Sequence, residues 1–142
     1  WMETYSYLYG IKTLSMRFFN VYGPGNNKGL MYHFLNAIKE GRPLAIYGDG
    51  NQVRDYVHVD DLTDFVVQMI DDNDFKNEAV DIGTGIGYSV NEIANIFQIL
   101  CKNKIEIVHK EAKFNDARES IALVFWKFKP RISVYDGIRE LL

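Results

Sequence analysis

The sequence predicts an α/β protein in which strands and helices alternate along the chain. Three observations carry this. Apolar residues recur with a 3.6-residue period in several segments. Between those segments lie short extended runs rich in aliphatic and aromatic residues. The boundaries carry glycine-rich turns such as Gly23-Pro-Gly-Asn-Asn27, Gly48-Asp-Gly50 and Gly83-Thr-Gly-Ile-Gly87.

Taken in order, Trp1, Tyr5, Leu8 and Tyr9 fall at helical spacing, and Gly10 is a natural stop. Residues Thr13 to Tyr22 read as one strand, and their near-continuous hydrophobicity suits a parallel strand covered on both faces. Leu30 to Glu40 is an amphipathic helix closed by Gly41, and Leu44 to Tyr47 a short strand. Arg54 to Val59 alternates as a strand, with Asp60 predicted to cap the helix that Leu62, Phe65, Val66, Met69 and Ile70 define. Ala79 to Ile82 is a further strand. Ser89 and Glu92 form a capping box ahead of the helix carrying Val90, Ile93, Ala94, Phe97 and Leu100. Ile105 to Val108 reads as a strand, and Val134 to Leu142 as a closing helix.

Composition bounds the function. The 142 residues are 47% hydrophobic and 25% charged, as in a globular protein with a real core. Sixteen basic against nineteen acidic residues give a net charge of −3, which argues against nucleic-acid or membrane-surface binding. Cys101 is the single cysteine, so no internal disulfide and no Cys-rich zinc motif can form. A reducing, cytoplasmic setting is expected. The chain opens without Met on what reads as a helix already under way, so it is expected to be part of a longer protein.

Candidate sites are then weighed by chemistry. Gly83-Thr-Gly-Ile-Gly87 follows a strand and precedes a helix, but Tyr88 stands where a dinucleotide loop needs a small residue, so a plain turn is expected. His58, Asp60 and Asp61 are close in sequence, yet a strand histidine beside a helix-capping Asp explains them better than a metal site does. No Gly-x-Ser-x-Gly nucleophile motif occurs. What remains is anion recognition by Arg54, on the strand face it shares with Tyr56 and His58, just past a glycine-rich turn.

Three segments in order, Arg17-Phe-Phe-Asn-Val-Tyr-Gly-Pro-Gly25, Leu44 through Asp61 and Ile82-Gly-Thr-Gly85, resemble the C-terminal part of the extended short-chain dehydrogenase/reductases. Within them the chain is similar to the NAD-dependent nucleotide-sugar epimerase/dehydratase family, of UDP-glucose 4-epimerase-like type. The resemblance implies the C-terminal portion of a Rossmann-like parallel sheet plus a small α/β substrate-binding domain. Residues 1–25 and 52–83 would be the last elements of the NAD-binding domain, and 26–51 and 84–142 the substrate domain. It implies NAD as cofactor and a UDP-sugar substrate. NAD would take a hydride from the sugar, and the resulting ketone would be re-reduced on its other face or dehydrated.

The family's glycine-rich NAD loop and Tyr-x-x-x-Lys pair belong upstream. Tyr5, Tyr7 and Tyr9 lack a lysine four positions on, so no catalytic residue is assigned to this chain, and by itself it is expected to be inactive. By the resemblance, Phe18 and Phe19 border the nicotinamide, and Asn20 and Arg54 contact the diphosphate. Leu30 opens the helix that lines the nucleotide pocket, and Ala45 and Tyr47 face the base. Lys113 and Asp116 fall on an Arg-x-Gly-Asp stretch, reaching the phosphates and the ribose hydroxyls respectively, although Lys113 lacks the arginine's bidentate fork. The match falters over 123–130, where Leu123 to Pro130 arrives several residues early. A homodimer is expected through the helix of Trp1, Tyr5 and Leu8. The alternatives are a non-catalytic binding or dimerisation module, and a sugar-nucleotide reductase.

Overall fold

The computed structural model describes residues 1–73, 78–101, 105–112, 116–123, 125 and 127–142. Its first helix, α1 (Met2–Tyr9), ends at Gly10, which takes a left-handed conformation at φ 66° and returns its N–H to the Ser6 carbonyl. No residue of α1 is buried, and Trp1 is 96% exposed.

The stretch that reads as one strand from Thr13 to Tyr22 forms two. Strand β1 (Leu14–Phe18) runs parallel to β5 (Glu78–Ile82), with Phe18 opposite Ile82. Strand β2 (Asn20–Tyr22) runs parallel to β4 (Val53–His58), with Asn20 opposite Tyr56. The change of partner occurs at Phe19, whose N–H still bonds the Ile82 carbonyl. Extended backbone continues through this exchange, so hydrophobic pattern alone cannot mark it.

Strand β3 (Leu44–Tyr47) pairs in parallel with β7 (Ile107–Lys110), Tyr47 lying opposite Lys110. That places β7 two residues later than its hydrophobic run suggests. Two short strands join β4: β6 (Gly87–Ser89) antiparallel and β8 (Glu119–Ser120) parallel, so that Tyr88 and Ser120 both stand against Arg54.

Helix α2 (Gly29–Lys39) is followed by Gly41 at φ 64°. Helix α4 (Val90–Leu100) begins in the expected capping box, with the Ser89 hydroxyl accepting the Glu92 N–H and the Glu92 carboxylate accepting the Ser89 N–H. These bonds hold the Glu92 carboxyl below its usual pKa. Helix α5 (Val134–Leu141) is capped by Ser133.

The cap of α3 (Val59–Asp72) differs from expectation. His58, not Asp60, is the N-cap, and its ring Nδ1 accepts the Asp60 N–H at 3.3 Å. Asp60 and Asp61 both lie in the first turn, where negative charge meets the positive end of the helix. Asp61 is buried, and one of its oxygens accepts the N–H groups of Arg131 and Ile132. A carboxylate inside α3 thus anchors the segment leading to α5.

The period of two in β2 and β4 sorts side chains between two cores. Tyr22 and Tyr56 point into one, with Met31, Phe34, Ile93, Phe97 and Ile138. Val57 points into the other, with Leu62, Phe65, Met69, Ile82 and Phe128, and Val21 packs against it. The polar seam between two adjoining residues, Arg54 and Asp55, follows from the same alternation.

Candidate functional site

Asp55 explains the glycine-rich turn. It is fully buried, and its carboxylate accepts four donors: the N–H and hydroxyl of Thr84 at 2.9 and 2.7 Å, the Gly85 N–H at 2.8 Å and the Ala122 N–H at 3.2 Å. Gly85 holds φ 74°, the left-handed conformation that lets neighbouring N–H groups converge on one anion. A Cβ on Gly83 would lie 2.5 Å from an Asp55 oxygen, so only glycine fits. Gly83-Thr-Gly85 is therefore an anion cradle, but the anion is the chain's own. A strand, β6, separates it from α4. Asp55 thus ties the Gly83–Gly85 turn and Ala122 to β4.

His58 is buried beneath α5, edge-on to Tyr22 with ring centroids 5.2 Å apart. Gly137 passes close enough that a Cβ there would meet both rings. Because Nδ1 accepts a backbone N–H, the neutral ring carries its proton on Nε2, which faces a Glu140 oxygen at 3.6 Å. His58 thus caps α3, while its Nε2 is buried without a hydrogen-bond partner among the described residues.

On the face of β4 opposite Asp55 lies a cavity of about 710 Å³ between α2, the ends of β3 and β7, and β4. Asn20, Leu30, Ala45, Tyr47, Arg54 and Asp116 all line it. Asn20 opens β2, and its side-chain amide is fixed on the Asp55 carbonyl at 2.9 Å. Tyr56 forms part of the wall, and burial pushes its phenol up to about 12 against the pull of the Arg54 guanidinium, keeping it neutral. Phe18 and Phe19 are not among the lining residues; Phe18 is half exposed where β1 ends. Lys113 lies outside the described residues.

The arginine is held in place. Its Nη1 donates to the Val53 carbonyl at 2.8 Å, its Nη2 pairs with Asp116, and its side chain is only 17% exposed. The wall is also unusually basic. Among the described residues Lys28, Arg42, Arg54 and Lys110 stand against one lining carboxylate, Asp116, on a chain whose net charge is −3. Arg42 pairs with Glu40, and the Lys110 ammonium lies 5.8 Å from the centre of the Tyr47 ring. Sequence reasoning missed Lys28, Lys110 and Gln52. Gln52 stands just ahead of β4, two residues before Arg54, and lines the same cavity.

The profile of the NAD dependent epimerase/dehydratase family matches residues 1–83. The chain belongs to that family. It is 32% identical to a UDP-glucuronate 4-epimerase of Thermodesulfobacterium geofontis, over 96% of this chain and 44% of that protein. A putative UDP-glucose 4-epimerase of Methanocaldococcus jannaschii is 29% identical, over 100% of this chain and 48% of the relative. Among solved structures, UDP-glucose 4-epimerase of Thermotoga maritima, crystallised with UDP-glucose, superposes with a TM-score of 0.86 at 31% identity, covering 97% of this chain and 47% of that one. This epimerase/dehydratase chain thus spans about half the length of the relatives it matches. The α/β fold with parallel strands is that of the family's solved structures.

Proposed function

We propose that the native protein is an NAD-dependent nucleotide-sugar epimerase, and that this chain supplies the binding site for the nucleoside diphosphate of a UDP sugar. The observation that carries the reading is the basic, aromatic-rimmed cavity on an acidic protein. Four cations around one carboxylate suit a diphosphate, and a Tyr ring at the rim suits a planar base. In this reading Arg54 and Asn20 take the phosphates, Leu30 lines the entrance at the start of α2, Ala45 and Tyr47 face the base, and Asp116 the ribose. Lys113 belongs to the same proposal.

Residues 1–25 and 52–83 serve the NAD-binding domain in this proposal, and 26–51 and 84–142 the substrate domain. The C-terminal ends of parallel strands are where α/β folds bind ligands. There the half-exposed ring of Phe18 and the neighbouring Phe19 offer the apolar surface that a nicotinamide requires. NAD, when bound, supplies the hydride acceptor and donor. The residues described here bind and orient the substrate. Among the described residues no helix is long and apolar enough to cross a membrane, and a cytoplasmic location is part of the proposal.

In the native full-length protein, Arg54→Ala is expected to weaken UDP-glucose binding by about 1.5–3 kcal/mol while NAD affinity stays nearly unchanged, as calorimetric titration would show. Equal loss of both ligands would mean that Arg54 serves folding instead.

The same proposal includes a homodimer through α1, where Trp1, Tyr5 and Leu8 are 96, 50 and 60% exposed. An apolar helix face left this open asks for a partner surface. Tyr5→Glu combined with Leu8→Glu is expected to shift the protein from dimer to monomer in sedimentation velocity runs. An unchanged sedimentation coefficient would remove α1 from the interface.

A further inference from the structure

Gln52 joins the two rims of the cavity through one side-chain amide. Its Nε2 donates to the Tyr47 carbonyl, at the end of β3, at 2.9 Å, and to the Asp116 carboxylate at 3.3 Å. The other Asp116 oxygen pairs with Arg54. The backbone carbonyl of Gln52 accepts the Val90 N–H, which ties the same residue to the start of α4. A chain of contacts therefore runs from the fixed end of β3 through Gln52 and Asp116 to the guanidinium of Arg54.

The physical consequence lies in what Asp116 would do without Gln52. Its side chain is 38% exposed, and a single contact to an arginine leaves such a carboxylate several rotamers. The amide removes that freedom by holding the second oxygen. Among the described residues Arg54 in turn has two of its five N–H donors engaged, one on Val53 and one on Asp116, which leaves three for an anion in the cavity. Fixing Asp116 fixes the plane of the guanidinium, and with it the direction of those three donors. The backbone contacts of Gln52 alone do not achieve this; the side-chain amide does.

We infer that Gln52 is a positioning residue for phosphate recognition: it acts through Asp116 to pre-orient Arg54 toward the diphosphate of a nucleotide ligand. This rests on the proposed reading of the cavity as a nucleotide-diphosphate site. Gln52 differs from Arg54 in role, because its amide is spent on protein acceptors and its effect passes through another side chain.

The test is a double-mutant cycle in the native full-length protein, read by calorimetric titration with UDP. Gln52→Leu keeps the size and removes the amide, and it is expected to weaken UDP binding about tenfold. Arg54→Ala weakens it further, and Gln52→Leu combined with Arg54→Ala is expected to lose clearly less than the product of the two single losses, because the guanidinium is gone and only the ribose contact of Asp116 is left for the amide to hold. NAD affinity stays unchanged throughout. A purely structural Gln52 would give losses that multiply, and that result overturns the inference. So does UDP binding by Gln52→Leu within about twofold of the parent while Arg54→Ala is impaired. Should Arg54→Ala itself bind UDP normally, the reading of the cavity fails first, and the inference with it. Gln52→Met, also uncharged and of similar length, runs the same cycle if the leucine variant does not fold. It too lacks the amide, and the same non-additivity with Arg54→Ala is expected.

Discussion

Asp55→Ala is expected to cost the protein about 3–5 kcal/mol of folding stability, measured by urea unfolding of the native protein. Four donors converge on this one buried carboxylate, three of them backbone N–H groups that lose their acceptor together when it is removed. A hydrogen bond to a charged group contributes about 1.5–3 kcal/mol, and these four share one anion, so their losses do not simply add. Even the lower figure is a large part of the about 5–15 kcal/mol that holds a domain together. Asp55→Asn separates charge from shape. It keeps the volume but turns an NH₂ toward N–H donors, and its cost is expected to lie between zero and that of alanine. A loss below about 1 kcal/mol for Asp55→Ala would mean that the cradle is satisfied in some other way. The effect should also reach the cavity, because the Asp55 carbonyl fixes Asn20 and its neighbour in β4 is Arg54.

Why this residue escapes a reading of the sequence is instructive. An aspartate in an alternating strand looks like a solvent-facing residue or a member of an acidic cluster. Its partners at Thr84, Gly85 and Ala122 lie 29, 30 and 67 positions away, so no local pattern announces them. The helices were legible because period and caps are local: Gly10, Gly41 and the box of Ser89 with Glu92 mark their ends where the structure has them. The division between β1 and β2 was not, since it depends on which strand lies alongside. Strands β6 and β8, of three and two residues, are too short to show any period. The cap of α3 went to His58 because its ring reaches the Asp60 N–H from the last strand position. A preference for Asp at caps cannot anticipate that geometry. Of the residues that line the cavity, the resemblance named six: Asn20, Leu30, Ala45, Tyr47, Arg54 and Asp116. Gln52 was lost among the charged groups that surround it.

Phe97→Ala is the second large effect, and it links the core to the cavity. Phe97 is 0% exposed on the inner face of α4, with Ile93 and Ala94 on the preceding turn. Its ring meets Phe34 of α2 edge-on, with centroids 5.7 Å apart and planes at 82°. Truncation removes the burial of a whole ring and leaves a void that two packed helices fill only in part. The expected cost is about 3–5 kcal/mol by thermal or urea unfolding. Phe34 also lines the cavity, so the void opens directly behind its wall. UDP affinity should then fall as well, through a looser α2 and without any loss of a ligand contact. Phe97→Leu restores most of the volume and is expected to recover all but about 1–1.5 kcal/mol, together with most of the binding. If Phe97→Ala were to unfold the protein more easily yet bind UDP unchanged, α2 would be held by the strands and not by α4. In that case Leu44 and Ile46 of β3, also buried in this core, would set the cavity's shape.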